Sequence, residues 1–77
     1  MIFAKNRLGG LLVLAKNLCV LLHERNITQR KLAEDIGVSY QAVSVWCAGK
    51  TVPSSTVLLQ IAQYFNVSTD YLLTGEK

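Results

Sequence analysis

The sequence is short of the residues from which most catalytic and metal sites are built. It has one histidine, two cysteines and five acidic residues in 77 positions, and the cysteines have no partners at zinc-ligand spacing. It contains no nucleophile–histidine–acid set and no glycine-rich phosphate loop. We therefore expect no enzyme activity, no metal site and no cofactor. His23 falls on the polar arc of a predicted helix and should be solvated.

Cysteine usage also bears on the compartment. Cys19 and Cys47 lie inside two separate predicted helices, where a free cysteine commonly serves as a small apolar residue. We expect both to be core or interface residues rather than a disulfide or a reactive pair. This favours a reduced, cytoplasmic setting.

Charge is scarce as well, at 17% of the residues, and the formal net charge is +3. The basic residues are scattered and form no polybasic arm, so charge permits a nucleic-acid partner without arguing for one. Hydrophobic residues make up 51% of the chain, which is high for so small a domain. That excess favours a partner or a second copy that covers some apolar surface.

The apolar run near the N-terminus is too short for a membrane span. The opening MIFAKNRLGGLLVLA has the early charge and apolar run of a secretory signal. However, Lys16 and Asn17 interrupt the run before the ~18 residues that a span requires. Cleavage after Ala15 would also remove the start of the first predicted helix. We expect neither secretion nor membrane insertion.

The first helix is predicted from about residue 11 to residue 25. Residues 1–10 form an N-terminal extension of ambiguous structure, because Gly9 and Gly10 weaken a helix there. One stripe of the helix is assigned to the core: Leu11, Leu14, Leu18 and Leu21. A neighbouring stripe is also apolar: Leu8, Leu12, Ala15, Cys19 and Leu22. Either Ile2 and Phe3 fold back over this second stripe, or it is a self-association surface.

The segment from Gln29 to Ala48 predicts two short helices joined by a tight turn. Apolar residues recur at helical spacing in both halves, and a glycine suited to a helix C-terminus separates them. Ser39 then supplies an N-cap for the second helix of this pair, and Gly49 ends that helix. The residues expected to form the core of the motif are Leu32, Ala33, Ile36, Gly37, Val38, Val43 and Trp46. The outer face of the first of these two helices carries Arg30, Lys31, Glu34 and Asp35.

Two further helices are predicted after Pro53. Ser54 or Ser55 caps the fourth helix, whose apolar face consists of Val57, Leu58, Ile61, Ala62 and Phe65. Ser68 caps a short fifth helix, in which Tyr71 and Leu72 close the core. The fold expected for residues 11–77 is therefore a single all-α domain of five helices.

Several short pieces, in this order and spacing, resemble the DNA-binding domain of the phage repressor/Cro family. They are Thr28-Gln29, Leu32-Ala33, Gly37-Val38-Ser39, Trp46, Gly49-Lys50, Pro53 and the closing VSTDYLLTGE. The resemblance covers residues 27–76 and implies a lambda-repressor-like domain with a helix-turn-helix, whose second helix enters the DNA major groove. It implies a sequence-specific, double-stranded-DNA-binding transcriptional regulator of repressor/Cro type. Such a regulator would come from a phage or mobile element and act in a bacterial or phage-infected cell.

The residues expected to contact bases are Tyr40, Gln41, Ser44 and Val45 on the third helix. The amide of Gln41 suits adenine N6 and N7, and Val45 suits a thymine methyl group. The residues expected to contact phosphates, following the family pattern, are Gln29, Ser39, Lys50, Thr51 and Ser54. One copy offers few contacts, so we expect a homodimer on a palindromic operator. Its dimer surface would be the apolar side of the first helix or the fifth helix.

An alternative function remains open at this point. The face of the third helix has no arginine or lysine, so it could instead be a surface for a partner protein. The chain would then be a protein-interaction module such as an antitoxin or an antirepressor.

Overall fold

The computed structural model describes residues 2–75, and the side chains of residues 12–75. Within that range it has five α-helices and no strand, which confirms the all-α expectation. The helices are α1 (Ile2–Glu24), α2 (Gln29–Ile36), α3 (Tyr40–Cys47), α4 (Ser55–Phe65) and α5 (Thr69–Thr74).

Helix α1 is longer than the sequence predicted, because it begins at Ile2 rather than near residue 11. Gly9 and Gly10 cost the helix roughly 1 kcal/mol each relative to alanine, but no proline or cap stops it there. Ile2 and Phe3 continue the same helix, so the interpretation in which they fold back over it is wrong. The division into residues 1–10 and residues 11–77 stays a prediction.

The two apolar stripes of α1 differ in how far their side chains are buried. In the first stripe Leu14, Leu18 and Leu21 are buried, as expected. The second stripe is not a single surface, because Ala15 and Leu22 are buried in the core while Leu12 is 61% exposed and Cys19 is also exposed. The side chains of Leu8 and Leu11 lie outside the described residues.

Local hydrogen bonds define the ends of the helices much as the sequence predicts. A hydroxyl oxygen accepts a first-turn amide at the start of each of α2 to α5; the caps are Thr28, Ser39, Ser54 and Ser68. The chain then leaves each helix through a residue of positive φ; these residues are Asn26, Gly37, Gly49, Asn66 and Gly75. Gly37 and Gly49 are the two helix ends that the sequence analysis predicted.

The core lies between α1 and the four shorter helices. Helix α1 packs against α3 and α5, while α2 contacts α3 and α4. The largest fully buried side chains are Phe65, Leu14, Leu18, Leu32, Ile61, Leu72 and Val43.

Two polar side chains tie α1 to the C-terminal helices. The buried Asn17 donates from Nδ2 to the carbonyls of Tyr71 and Leu72, at 3.0 and 3.2 Å. Arg25 donates to the carbonyl of Phe65 at 2.9 Å, and its guanidinium lies 5.8 Å from the Phe65 ring centroid. These bonds hold α4 and α5 against the helix on which the motif also rests.

The two cysteines meet where α1 packs on α3. The thiol of Cys19 donates to the carbonyl oxygen of Cys47 at 3.8 Å. Cys47 is half-buried and Cys19 is exposed, so of the two expected positions, core or interface, only the interface position stays a prediction for Cys19. His23 is exposed, as expected.

Candidate nucleic-acid interface

The turn between α2 and α3 depends on a left-handed glycine. Gly37 has φ 78°, and its amide and that of Val38 both donate to the carbonyl of Ala33, at 2.9 and 3.0 Å. There is open space where a Cβ of residue 37 would lie, so the requirement for glycine is one of backbone conformation rather than of room. Val38 then packs on the core and Ser39 begins α3.

Four buried residues hold the two helices of the motif together. Leu32 and Ala33 of α2 and Val43 and Trp46 of α3 are each at most 6% exposed. Ile36 and Val38 are partly buried against the same cluster. Because α3 also packs on α1, its orientation is fixed from two sides, and one face remains toward solvent.

That outward face of α3 carries the four residues predicted to contact bases. Tyr40 and Gln41 are exposed, while Ser44 and Val45 are half-buried. Val45 packs partly against the core, so only part of its apolar surface is available to a ligand. The face therefore offers an aromatic ring, an amide, a hydroxyl and a small apolar patch, and it has no charge of its own.

A positive charge reaches this face from the neighbouring helix. The guanidinium carbon of Arg30 on α2 lies 4.4 Å from the ring centroid of Tyr40. This cation–π contact, worth ~0.5–1 kcal/mol at an exposed site, places a cation beside the first turn of α3. Sequence reasoning placed Arg30 on the outer face of α2, with Arg30 or Lys31 as a residue that could reach the DNA backbone, but it did not anticipate the contact with Tyr40, because no periodic pattern relates an arginine on one helix to an aromatic residue on the next.

The residues predicted to contact phosphates lie at helix starts and in one loop. Gln29, half-buried, is the first residue of α2. Lys50 and Thr51 are exposed in the loop after α3, and the amide of Lys50 donates to the carbonyl of Val45 at 3.1 Å. Ser39 and Ser54 cap α3 and α4.

The two capping serines keep a donor for a further partner. The hydroxyl oxygen of Ser39 accepts the amide of Ala42 at 3.1 Å, and that of Ser54 accepts the amide of Val57 at 3.4 Å. Accepting a hydrogen bond leaves the hydroxyl proton free to be donated elsewhere. Each serine can therefore cap its helix and bind an anion at the same time.

The acidic residue Asp35 of α2 is bonded to Tyr64 of α4 and paired with Lys31. Tyr64 of α4 donates to Oδ2 of Asp35 at 2.6 Å, and Lys31 lies 3.2 Å from Oδ1. The Tyr64 hydrogen bond, and then Lys31, hold the pKa of Asp35 below its usual value, and the same hydrogen bond raises the pKa of Tyr64. Asp35 and Lys31 thus largely neutralise each other beside α4.

Other kinds of site find little support in the described part of the chain. No group of three or more histidine, cysteine or acidic residues that could hold a metal ion occurs there. Two open depressions, one beside Tyr71 and one beside Tyr64, include no residue of α3. Among the described residues, no helix is both long enough and apolar enough to cross a membrane.

Comparison with known proteins gives consistent matches to one kind of domain. The helix-turn-helix family model HTH_3 matches residues 20–72. The HTH-type transcriptional activator BcrR of Enterococcus faecalis is 43% identical over 53 residues, which cover 69% of this chain and 26% of that protein. The uncharacterised HTH-type transcriptional regulator YqaE of Bacillus subtilis (strain 168) is 31% identical over 62 residues, covering 80% of this chain and 53% of that protein. The chain thus spans about half or less of the length of these relatives.

A solved structure supports the same match at the level of the fold. The solution structure of the SOS-response transcriptional repressor LexA from Eubacterium rectale superposes with a TM-score of 0.81 and is 29% identical in sequence. The superposition covers 84% of this chain and 69% of that one.

Proposed function

The chain belongs to the lambda-repressor-like, Cro-type helix-turn-helix family of non-enzymatic DNA-binding transcriptional regulators, and from this premise we propose that it binds a specific double-stranded operator. The observation that carries the proposal is the outward face of α3. Its exposed amide and aromatic side chains are uncharged, and a cation stacks beside them. Such a face can enter the major groove and read base edges.

Base recognition is assigned to four residues on that face. Gln41 is exposed and can bond adenine N6 and N7 through its amide. Ser44 offers a small hydroxyl at the groove floor, and the available part of Val45 suits a thymine methyl group. Tyr40 adds either a phosphate contact or a thymine contact.

Phosphate binding is assigned to the groups that flank α3. Gln29, Ser39 and Ser54 lie at helix N-termini, where free amides and the helix dipole favour an anion. Lys50 and Thr51 are exposed in the following loop. Arg30 joins this group, because its contact with Tyr40 holds a guanidinium, whose N–H donors suit a phosphate, beside the first turn of α3.

We further propose that two copies bind a palindromic operator with half-sites about one helical turn, ~34 Å, apart. A single α3 supplies few contacts, and apolar residues stay exposed on α1 and α5: Leu12 at 61% and Leu73 at 40%. The setting we propose is the cytoplasm of a bacterial or phage-infected cell, with a phage or mobile element as the source. The named relatives include one activator and one repressor, so both directions of regulation occur among them.

The test is in-vitro selection from random duplexes, followed by titration at two salt concentrations. The expected result is an enriched palindrome whose affinity falls as salt rises. Failure to enrich any sequence, together with no salt-dependent binding, would reject the proposal. That outcome would favour the protein-interaction alternative, an antitoxin or antirepressor.

A further inference from the structure

Cys19 and Cys47 form a pair of thiols at the junction of α1 and α3. They are 28 positions apart in the sequence, yet the Cys19 thiol lies 3.8 Å from the carbonyl oxygen of Cys47. Cys19 is exposed and Cys47 is half-buried. The Cys19 sulfur is thus open to a small reagent, and the Cys47 sulfur belongs to the residue that Cys19 contacts.

We propose that Cys19 and Cys47 are a modification site, at which a low-molecular-weight disulfide such as oxidised glutathione converts the two thiols into an intramolecular disulfide. The Cys19 sulfur already contacts the main chain of Cys47, so bond formation requires rotation of the two side chains until the sulfurs reach the bond length of ~2.05 Å. The resulting loop encloses all of α2 and the turn, and it ends at the last residue of α3. The bond therefore closes the helix-turn-helix covalently onto α1.

The reaction proceeds by two thiol–disulfide exchanges. The exposed Cys19, as its thiolate, attacks one sulfur of the small disulfide and expels one small thiolate. Cys47, as its thiolate, then attacks the Cys19 sulfur and expels the second small thiolate. The two protons released by the cysteines pass to the two small thiolates. Two protein thiols are oxidised and one small disulfide is reduced to two thiols.

The environment of the pair determines this order of attack. Burial raises the pKa of Cys47 to about 12, and negative charge on Cys19 adds to the effect. Cys47 is thus protonated at neutral pH and slow to react first. Once Cys19 is held in a mixed disulfide it carries no charge, so one cause of the raised pKa disappears before the second exchange.

The first measurement is a peptide map of the full chain after treatment with excess oxidised glutathione. Trypsin cleaves after Lys16, Arg25, Lys31 and Lys50, so the expected product is peptide 17–25 linked to peptide 32–50, with a mass loss of about 2 Da that dithiothreitol reverses. Closing a loop of this length should also raise the thermal midpoint by roughly 15–30 °C, measured by far-UV circular dichroism.

The matched controls are Cys19→Ser and Cys47→Ser, each nearly isosteric and each leaving one thiol. Both should keep the helical spectrum, yield no linked peptide and show no rise of the midpoint on oxidation. Glutathione retained on Cys19 alone, or a covalent dimer through Cys19, without the 17–25/32–50 species in the unmodified chain, would overturn the proposal. Formation of the linked peptide without a rise in the thermal midpoint of the oxidised full chain would also overturn it.

Discussion

Replacing Gln41 with alanine should separate base recognition from general DNA affinity. Gln41 is exposed on α3 and makes no described hydrogen bond within the protein, so its truncation should change the free energy of unfolding by less than ~0.5 kcal/mol. On DNA, each bidentate contact with adenine is worth ~1–3 kcal/mol. We therefore expect operator affinity to fall by roughly 5- to 150-fold for each such contact, with binding to random duplex nearly unchanged.

Lys50→Ala is the matched control, since Lys50 is also exposed but carries a charge and follows α3. It should weaken binding to every sequence. The cations assigned to the DNA face are Arg30 and Lys50, four in a dimer, which predicts a slope of log affinity against log salt of about −3.6. Lys50→Ala removes two of them and should lower the magnitude of the slope by about 2, whereas Gln41→Ala should leave it unchanged.

The assay is fluorescence anisotropy with the selected operator and a scrambled duplex, each at several salt concentrations. Equal losses on the two duplexes for Gln41→Ala would refute its role in reading bases. A slope that is the same in the Lys50→Ala protein as in the parent would refute the phosphate contact. Because both changes are on the surface, a loss of helical signal in either variant would show that the loss of binding has another cause.

Three further predictions concern the framework of the site. Ser39→Ala removes the α3 cap and should cost ~1 kcal/mol of unfolding free energy, seen as a fall in the urea midpoint; no change would contradict the capping role. Tyr64→Phe should raise the pKa of Asp35 toward its ordinary value in an NMR titration, because the hydrogen bond that lowers it most is lost. The stability that Asp35 contributes is present above its unfolded pKa near ~4 and lost as pH falls through the lower folded value, so unfolding below about pH 4 should become less pH-dependent in this variant. Leu12→Glu should give a monomer by light scattering if α1 is the dimer surface, with Leu73→Glu as the counterpart on α5; dimers in both variants would exclude both surfaces.

The helix ends were predictable because their signals are local. A hydroxyl residue placed before an apolar run, as at Thr28 or Ser68, can accept an amide of the next turn. Gly37 likewise marks a backbone conformation that few other residues adopt. These features depend on a few neighbouring residues, so they can be recognised without knowing how the helices cross.

The features that sequence reasoning missed are contacts between helices. Arg30 stacks on Tyr40 across the turn, and Asn17 bonds the end of α5. Periodicity gives the face on which each side chain lies, but not the neighbour it meets, which depends on the crossing of helices far apart in sequence. The start of α1 was missed for a different reason: Gly9 and Gly10 lower helix propensity, yet without a cap or a proline the helix continues through them.

The placement of charge around α3 explains how a helix without a charged residue can serve in a DNA-binding domain. In the proposed complex its outward face fits against base edges, where a long cation bonds guanine well but restricts what else can be read. The cations instead lie on each side of that face: Arg30 is held by Tyr40, and Lys50 follows the end of the helix. Lys31 is paired with Asp35 on the α4 side, so that pair adds little net charge to the interface. The proposal thereby assigns specificity to α3 and general DNA affinity to the flanking cations. Because the two are separate, substitutions in α3 should change which sequence is bound more than how strongly DNA in general is bound.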